Sequence, residues 1–567
     1  MDNSTVSEIL ETTARLMELH GENPFKIKSY QSAAYKIERL KENLIGKSQD
    51  ELEKLDGIGK SLSLKILQLL NDGSFPELDR LLSETPEGVQ EMMRIKGIGP
   101  KKVALLWKEL QIESPGELLY ACNENRLVEL KGFGAKTQEQ IKRSIEFSIS
   151  QRGLFHFATA ERSALLLLKE LEGLDLKFKP VISGEIRRKC EIVSSLDFIA
   201  CHDDYDAILK KLRSTDEKGF SGISENEQGI SLKTEEGLPV QIHFNRKGTM
   251  ACLQWTITGN NEHIRQCLDL SGLTLTDLEN AESESDLYAR FGLPYLEPEW
   301  REGRTEIRRA REGHIPASLV DVHDLKGILH NHSTYSDGIH SLEEMAVACK
   351  ELGYEYLGIC DHSKSAQYAG GLSIEKVNMQ QEEIRQLNSI LQPFRIFSGI
   401  ESDILADGSL DYPDEILAGF DFVVASVHSG LRMDKDKATQ RLLTAIRNPY
   451  TTILGHPSGR LLLSREGYPL DYEKIIQACA ETGVVIELNA HPYRLDLDWR
   501  WIEYALEKGV KISINPDAHS TEGYRNMYYG VCTGRKGYLT PQETFSAMGL
   551  KDIEQWFKNK KGNHTPH

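Results

Sequence analysis

At 567 residues the chain is too long for one hydrophobic core and implies about three to five folding units. Its 40% hydrophobic and 27% charged residues fit a soluble globular protein, and no apolar run approaches the ~18 residues of a membrane span. A net charge of −18 counts against a nucleic-acid partner held by lysine and arginine alone, so such a contact has to draw on other groups. The nine cysteines are scattered without a C-x-x-C pair, which argues against a zinc knuckle or disulfide framework and for the reduced thiols of a cytoplasm. The acidic start, MDNSTVSEILETTARLME, lacks the basic-then-apolar order of a secretory signal.

The first 150 residues read as short amphipathic helices, divided at about residue 80. One pattern occurs three times: Leu55-Asp-Gly57-Ile-Gly59-Lys60, Ile95-Lys-Gly97-Ile-Gly99-Pro-Lys101, and Leu130-Lys-Gly132-Phe-Gly134-Ala-Lys136. Glycine permits positive φ and close backbone approach, and the helix that follows turns its unpaired N–H groups outward. Such a helix start holds phosphate through amides and dipole, with little need of side-chain charge. The three copies resemble helix-hairpin-helix motifs, which grip DNA backbone without reading sequence. Gly57, Gly59, Lys60, Gly97, Gly99, Lys101, Gly132, Gly134 and Lys136 are the expected DNA contacts. Lys65, just beyond the first hairpin, reads from the residues alone as an ordinary surface lysine.

Residues 151–320 carry Gly184-Glu-Ile-Arg187-Arg188, Val193-Ser-Ser195-Leu-Asp197-Phe-Ile, Val240-Gln-Ile-His243-Phe, Trp255-Thr-Ile-Thr258-Gly259-Asn260 and Gly292-Leu-Pro-Tyr-Leu-Glu-Pro-Glu-Trp-Arg-Glu-Gly303. This segment resembles the α+β nucleotidyltransferase-like palm and thumb of family X DNA polymerases, and with the hairpins the resemblance to the bacterial PolX type runs the length of the chain. The resemblance implies a D-x-D pair and a third Asp around two metal ions. Here Ser195, Asp197 and His243 stand at those positions, so one carboxylate of three remains. A serine hydroxyl and a neutral imidazole are poor ligands for magnesium. By the same resemblance Glu185 replaces the serine that meets the triphosphate. Templated synthesis is therefore expected to be lost or weak, unless Glu191 or Asp203 supplies another acid. The resemblance also places Lys65 where the family has a lysine that can form a Schiff base with an abasic sugar, weighed against an ordinary surface lysine.

From Asp321 onward, strands alternate with helices, and nearly every apolar run ends on a ligand type: His330-Asn-His332 followed by Asp337, Asp361-His362, Glu401, His428, His456, Asn489, and Asp517-Ala-His519. Repeated βα units imply a parallel barrel with its site at the C-terminal strand ends. Eleven of the seventeen histidines lie after residue 320. The pattern resembles the PHP domain, a distorted (βα)7 barrel. By that resemblance His330, His332, Asp337, His362, Glu401, His428, His456, Asp517 and His519 hold two or three divalent ions, with His330, His332, Glu401 and Asp517 at the catalytic centre. Mixed imidazole and carboxylate donors suit manganese or zinc. Asp361, Asn489 and His491 are candidates for supporting or substrate contacts, weighed against barrel-rim packing. The tail from Lys558 reads as a solvated basic end.

The resulting expectation is a cytoplasmic, nucleoid-associated monomer that hydrolyses phosphodiesters of gapped or 3′-ended DNA with divalent metals, from the 3′ end or at abasic sites. Its rivals are an active gap-filling polymerase with exonuclease, a small-molecule phosphatase and a non-enzymatic DNA scaffold.

Overall fold

The computed structural model describes residues 2–562 apart from 41, 96, 129, 131, 151–152, 215–218 and 246–249. Lys96 and Lys131 of the second and third hairpins, and the end of the basic tail from Asn563, lie outside the described residues. Contacts divide the chain into two compact units, Met1–Ile145 and Glu146–His567, so both expected hairpin segments fall in the first, and palm, thumb and barrel in the second.

The first unit is helical, and its three hairpins share one local design. In each, the first glycine takes positive φ: 82° at Gly57, 95° at Gly97 and 91° at Gly132. L side chains rarely adopt that conformation, which is why the position calls for glycine. The middle residue is a buried plug (Ile58, Ile98, Phe133). Its N–H closes the turn on the carbonyl three residues back, at 3.1, 3.3 and 2.9 Å. Gly59 and Gly99 then cap the helices Lys60–Asp72 and Pro100–Leu110, and Gly134 precedes the helix Ala135–Ser150. Lys60, Lys101 and Lys136 are exposed. Pro100 has no N–H, so the second hairpin presents one amide fewer than the others.

The second unit begins with the palm. Strands β1 (Phe155–His156) and β3 (Ile192–Val193) form a short antiparallel pair, while β2 (Val181–Ser183), β4 (Leu196–Cys201), β5 (Phe220–Asn226), β6 (Gly229–Thr234) and β7 (Pro239–Asn245) make a mixed sheet ordered β2-β4-β7-β6-β5. Period-two alternation sends Leu196, Phe198, Ala200, Val240, Ile242 and Phe244 into one core. Asp197 and His243 are thereby left on the opposite face. The thumb buries Trp255, Tyr288, Phe291 and Trp300 together.

The last segment forms a seven-stranded parallel sheet in sequence order: β8 (Gly327–Ile328), β9 (Tyr356–Ile359), β10 (Arg395–Asp403), β11 (Phe422–Ser426), β12 (Ile453–Leu454), β13 (Val485–Asn489) and β14 (Ile512–Asn515). A parallel bridge between Asn331 and Ala518 brings the first and last strands together, so the sheet curls into the expected barrel. Outward residues such as Ile396, Ile400, Ile486 and Leu488 pack under the helices. Inward residues divide by height. Leu329, Phe397, Phe422, Ile453 and Val485 meet Phe545 and Phe557 in an apolar plug, and polar side chains occupy the other end. Gly399 makes room for that plug, because a Cβ there would lie 2.5 Å from the Phe422 ring.

The first unit also encloses an ionic cluster. The Glu77 carboxylate accepts from Lys26, Lys65 and the Tyr30 hydroxyl, and Lys65 also reaches Tyr30 Oη at 2.6 Å. Burial works to raise the Glu77 carboxyl, but these three donors overcome it and hold it at about 2, against an ordinary 4.5. A depressed carboxyl contributes stability above its unfolded value and loses it as pH falls through the folded one. The protection factors of amides across residues 24–84 of the full chain, that is, their exchange rates set against the intrinsic rate at each pH, are therefore expected to fall as pH drops from about 4.5 toward 2. In Glu77→Gln that acid-dependent step should be absent, with faster exchange already at neutral pH.

Candidate metal centre

Glu401 lies on the inward face of β10, completely buried, where alternate residues point into the barrel. Five imidazoles surround its two oxygens. His330 Nε2, His428 Nε2 and His456 Nε2 approach Oε1 at 3.3, 3.1 and 3.0 Å, and His362 Nδ1 and His332 Nε2 approach Oε2 at 2.9 and 3.7 Å. Asp517, just past β14, meets His332 at 3.0 Å and His330 at 3.5 Å. Asp337 lies 3.5 Å from His362 and 3.3 Å from His519. All nine side chains singled out in the sequence converge on one end of the barrel. The donor groups are His332, Asp337, His362 and His519; His330, His332 and Asp517; and His362, Glu401 and His428. His332 and His362 each belong to two of these groups.

Burial alone would raise the carboxyls, yet the surrounding histidines hold Glu401 and Asp337 well below the ordinary carboxylate range. Burial together with His519 and His362 drives His332 down to about 3. Ionised carboxylates and a neutral imidazole are the forms that coordinate metal. His330 Nε2, His332 Nδ1, both nitrogens of His362, His456 Nδ1 and Glu401 Oε2 are buried without a hydrogen bond. Buried polar atoms are normally satisfied, so this concentration of unsatisfied N and O donors fits divalent cations. His456 and Asp517 also adopt positive φ, 23° and 53°, a strain uncommon outside glycine and concentrated at functional sites.

Behind the ligands stands a ring of supporting carboxylates. Glu487 on β13, fully buried, accepts from His330 Nδ1 at 2.7 Å, His456 N at 2.8 Å and Asn515 Nδ2 at 2.9 Å. Asp403, two residues beyond Glu401 on the same face, accepts from His428 Nδ1 at 2.5 Å and the Ser365 hydroxyl at 2.6 Å. These bonds fix which ring nitrogen of His330 and His428 faces the centre. Sequence reasoning passed over both acids. The available signal was their period-two spacing from Glu401 and Asn489. Among the residues it did single out, Asn489 donates to Asp517 Oδ2 at 3.0 Å. Asp361 accepts from Ser333, Ser336 and Gln380, shaping the loop that carries Asp337. His491 is buried beside them, its N–H donating to Asn489 Oδ1.

The palm positions are arranged differently. Asp197 Oδ1 pairs with His243 Nε2 at 2.8 Å, and Oδ2 accepts from Ser195 Oγ at 3.0 Å. Gly184, at φ 62°, packs against that carboxylate. Glu185 turns to the Ser194 amide and hydroxyl. Arg187 forks onto Glu284 and Thr258, and Arg188 onto Glu302 and the Thr258 carbonyl, so both arginines are committed to internal partners. Glu191 faces Trp499 and Arg500, and Asp203 pairs with Lys177, so neither spare acid is turned to the Asp197 site.

Comparison with known proteins places these features in a family. Two helix-hairpin-helix descriptions match, the helix-hairpin-helix domain over residues 1–75 and the SAM-like helix-hairpin-helix tandem over 89–146, and the PHP domain matches 329–491. The chain is 34% identical to "DNA polymerase/3'-5' exonuclease PolX" of Bacillus subtilis (strain 168), over 98% of its own length and 100% of that relative's. The chain belongs to the PolX family. Its PHP segment alone is similar to "Probable phosphatase" proteins. That of Acetivibrio thermocellus is 31% identical over 34% of the chain and 78% of the relative, and that of Thermoanaerobacter sp. (strain X514) is 29% identical over 34% and 77%. This PolX-family protein is a metal-dependent hydrolase on a DNA-binding chain. Removing the charge of its supporting carboxylate by Glu487→Gln should weaken divalent-metal affinity by about 10- to 100-fold. Titration with manganese under buffered free-metal conditions would measure this, with a circular dichroism spectrum matching wild type.

Proposed function

We propose that this protein is a DNA-repair 3′→5′ exonuclease, a cytoplasmic monomer whose PHP barrel hydrolyses phosphodiesters and whose palm polymerises weakly or not at all. The observation that carries the reading is the convergence of nine imidazoles and carboxylates, seven of them buried and Asp337 and His428 partly so, with several N and O atoms lacking a hydrogen bond, at one end of a barrel. Two or three divalent ions held there, manganese or zinc by donor type, would supply Lewis acidity for attack of water on a phosphate ester. His330, His332, Glu401 and Asp517 form the centre, with Asp337, His362, His428, His456 and His519 completing the set. Glu487 and Asp403 orient the rings, and the apolar plug closes off water from below. The hairpin amides at Gly57–Lys60, Gly97–Lys101 and Gly132–Lys136 would hold gapped or 3′-ended DNA by its backbone.

Loss or weakness of synthesis rests on the chemistry of the palm. Its remaining carboxylate is hydrogen-bonded through both oxygens, and its two arginines are ion-paired to Glu284 and Glu302, which they share with Arg301 and Lys536. Lys65 is ion-paired to Glu77 and hydrogen-bonded to Tyr30, which does not present a free amine to an abasic sugar.

The test is a 5′-labelled gapped duplex incubated with manganese, with and without dNTPs, beside His330→Ala/His332→Ala. The primer is expected to shorten, to survive when EDTA is added or when the variant replaces wild type, and to lengthen little or not at all. Efficient extension by dNTPs in either protein would overturn the reading of the palm. Cleavage of small phosphomonoesters but not of DNA would replace exonuclease with phosphatase.

A further inference from the structure

Two buried groups of the palm, His156 and Glu191, play no part in nucleotidyl transfer or in the metal centre, yet both face the barrel. β1 and β3 pair so that His156 lies opposite Ile192, and the Phe157 amide binds the Glu191 carbonyl at 3.1 Å. The two groups therefore leave the same two-stranded ribbon.

His156 Nε2 lies 3.0 Å from the Leu462 carbonyl, and its ring centroid is 4.3 Å from that of Tyr493. A carbonyl can only accept, so Nε2 carries the proton. Burial pushes the imidazole down to about 4, partly opposed by this bond, so the ring is neutral near pH 7. Glu191 accepts from Trp499 Nε1 at 3.2 Å and Arg500 Nη1 at 2.8 Å.

The barrel residues they touch are Leu462 and Tyr493, on two loops that run directly from the metal centre, and Trp499 and Arg500, which open the helix at the end of the second loop. One leaves His456 and contains Leu462. The other leaves Asn489, passes His491 and Tyr493, and ends at the helix Trp499–Glu507. The loops are tied together: Leu462 N donates to Tyr493 O at 2.7 Å, Ser458 N and Oγ both donate to Asp496 at 3.0 Å, and Arg460 reaches Asp498 and the carbonyls of Arg494 and Leu495. Their metal-side ends hold His456, at positive φ, and Asn489, which orients Asp517.

We propose that the palm serves as a clamp that positions the barrel's two rim loops, and through them His456 and Asp517, by way of His156 and Glu191. This inference rests on reading the barrel as the hydrolytic site. A loop anchored only at its strand end could relieve the strain at His456 by moving. An anchor on the palm removes that freedom, and sub-ångström placement is worth large factors in rate. His156 and Glu191 are positioning residues.

The test uses the full-length chain and its His156→Ala, His156→Gln and Glu191→Gln variants. Three quantities are measured: amide exchange in 456–465 and 489–498, the manganese concentration for half-saturation, and turnover of bis(p-nitrophenyl) phosphate, a diester too small to reach the DNA-binding hairpins. His156→Ala and Glu191→Gln should each exchange faster in both loops and need about 10-fold more manganese. Their kcat should fall about 10-fold while KM and the thermal midpoint stay near wild type. His156→Gln, whose amide N–H can still reach Leu462 O, should recover most of the loss. Wild-type loop exchange and manganese dependence in His156→Ala would overturn the clamp. So would loss of the thermal midpoint in both His156→Ala and Glu191→Gln, because these residues would then support the fold and not the loops. Should wild type fail to cleave the diester, shortening of the 5′-labelled duplex decides the hydrolytic reading, while loop exchange and manganese half-saturation still decide the clamp.

Discussion

A carboxylate removed from water demands charge or donors around it, and Glu401 meets that demand with five imidazoles within 3.7 Å. Four of those rings are buried, and several of their nitrogens have no hydrogen bond. Divalent cations among them would supply the missing partners. Much of the barrel follows from that constraint. Strands must end on ligands, Gly399 must leave room for the plug beneath, and a ring of carboxylates on β10 and β13 must hold the imidazoles in one tautomer and one orientation.

The palm shows the opposite solution to the same electrostatic problem. There the acids that would call for magnesium are reduced to Asp197, and His243 with Ser195 satisfies it directly. Glu284 and Glu302 do the same for the arginine pair. Each of these charged side chains therefore has a protein partner, Glu284 being shared with Arg301 and Glu302 with Lys536. The two halves of Glu146–His567 thus differ in whether their charged groups are partnered within the protein or include buried donors without a hydrogen bond.

What could be read from sequence depended on the range of the interaction. The glycine hairpins were legible because a positive-φ glycine, a plug residue and a helix start all lie within six residues. The ligand set was legible because each member follows an apolar strand directly. Glu487 and Asp403 were hidden because a carboxylate inside a strand looks the same whether it supports a ligand or caps a turn. His156 and Glu191 were further out of reach, since their partners lie about 300 residues away and no local pattern marks the pairing.

The aromatic plug has a consequence for traffic. With Phe545 and Phe557 packed against Phe397 and Phe422, the base of the barrel is filled with side chains. Anything that reaches the histidines and carboxylates therefore comes from the opposite, ligand-bearing end. Metal ions and substrate would share that approach, so a bound substrate would stand across the route by which the ions exchange.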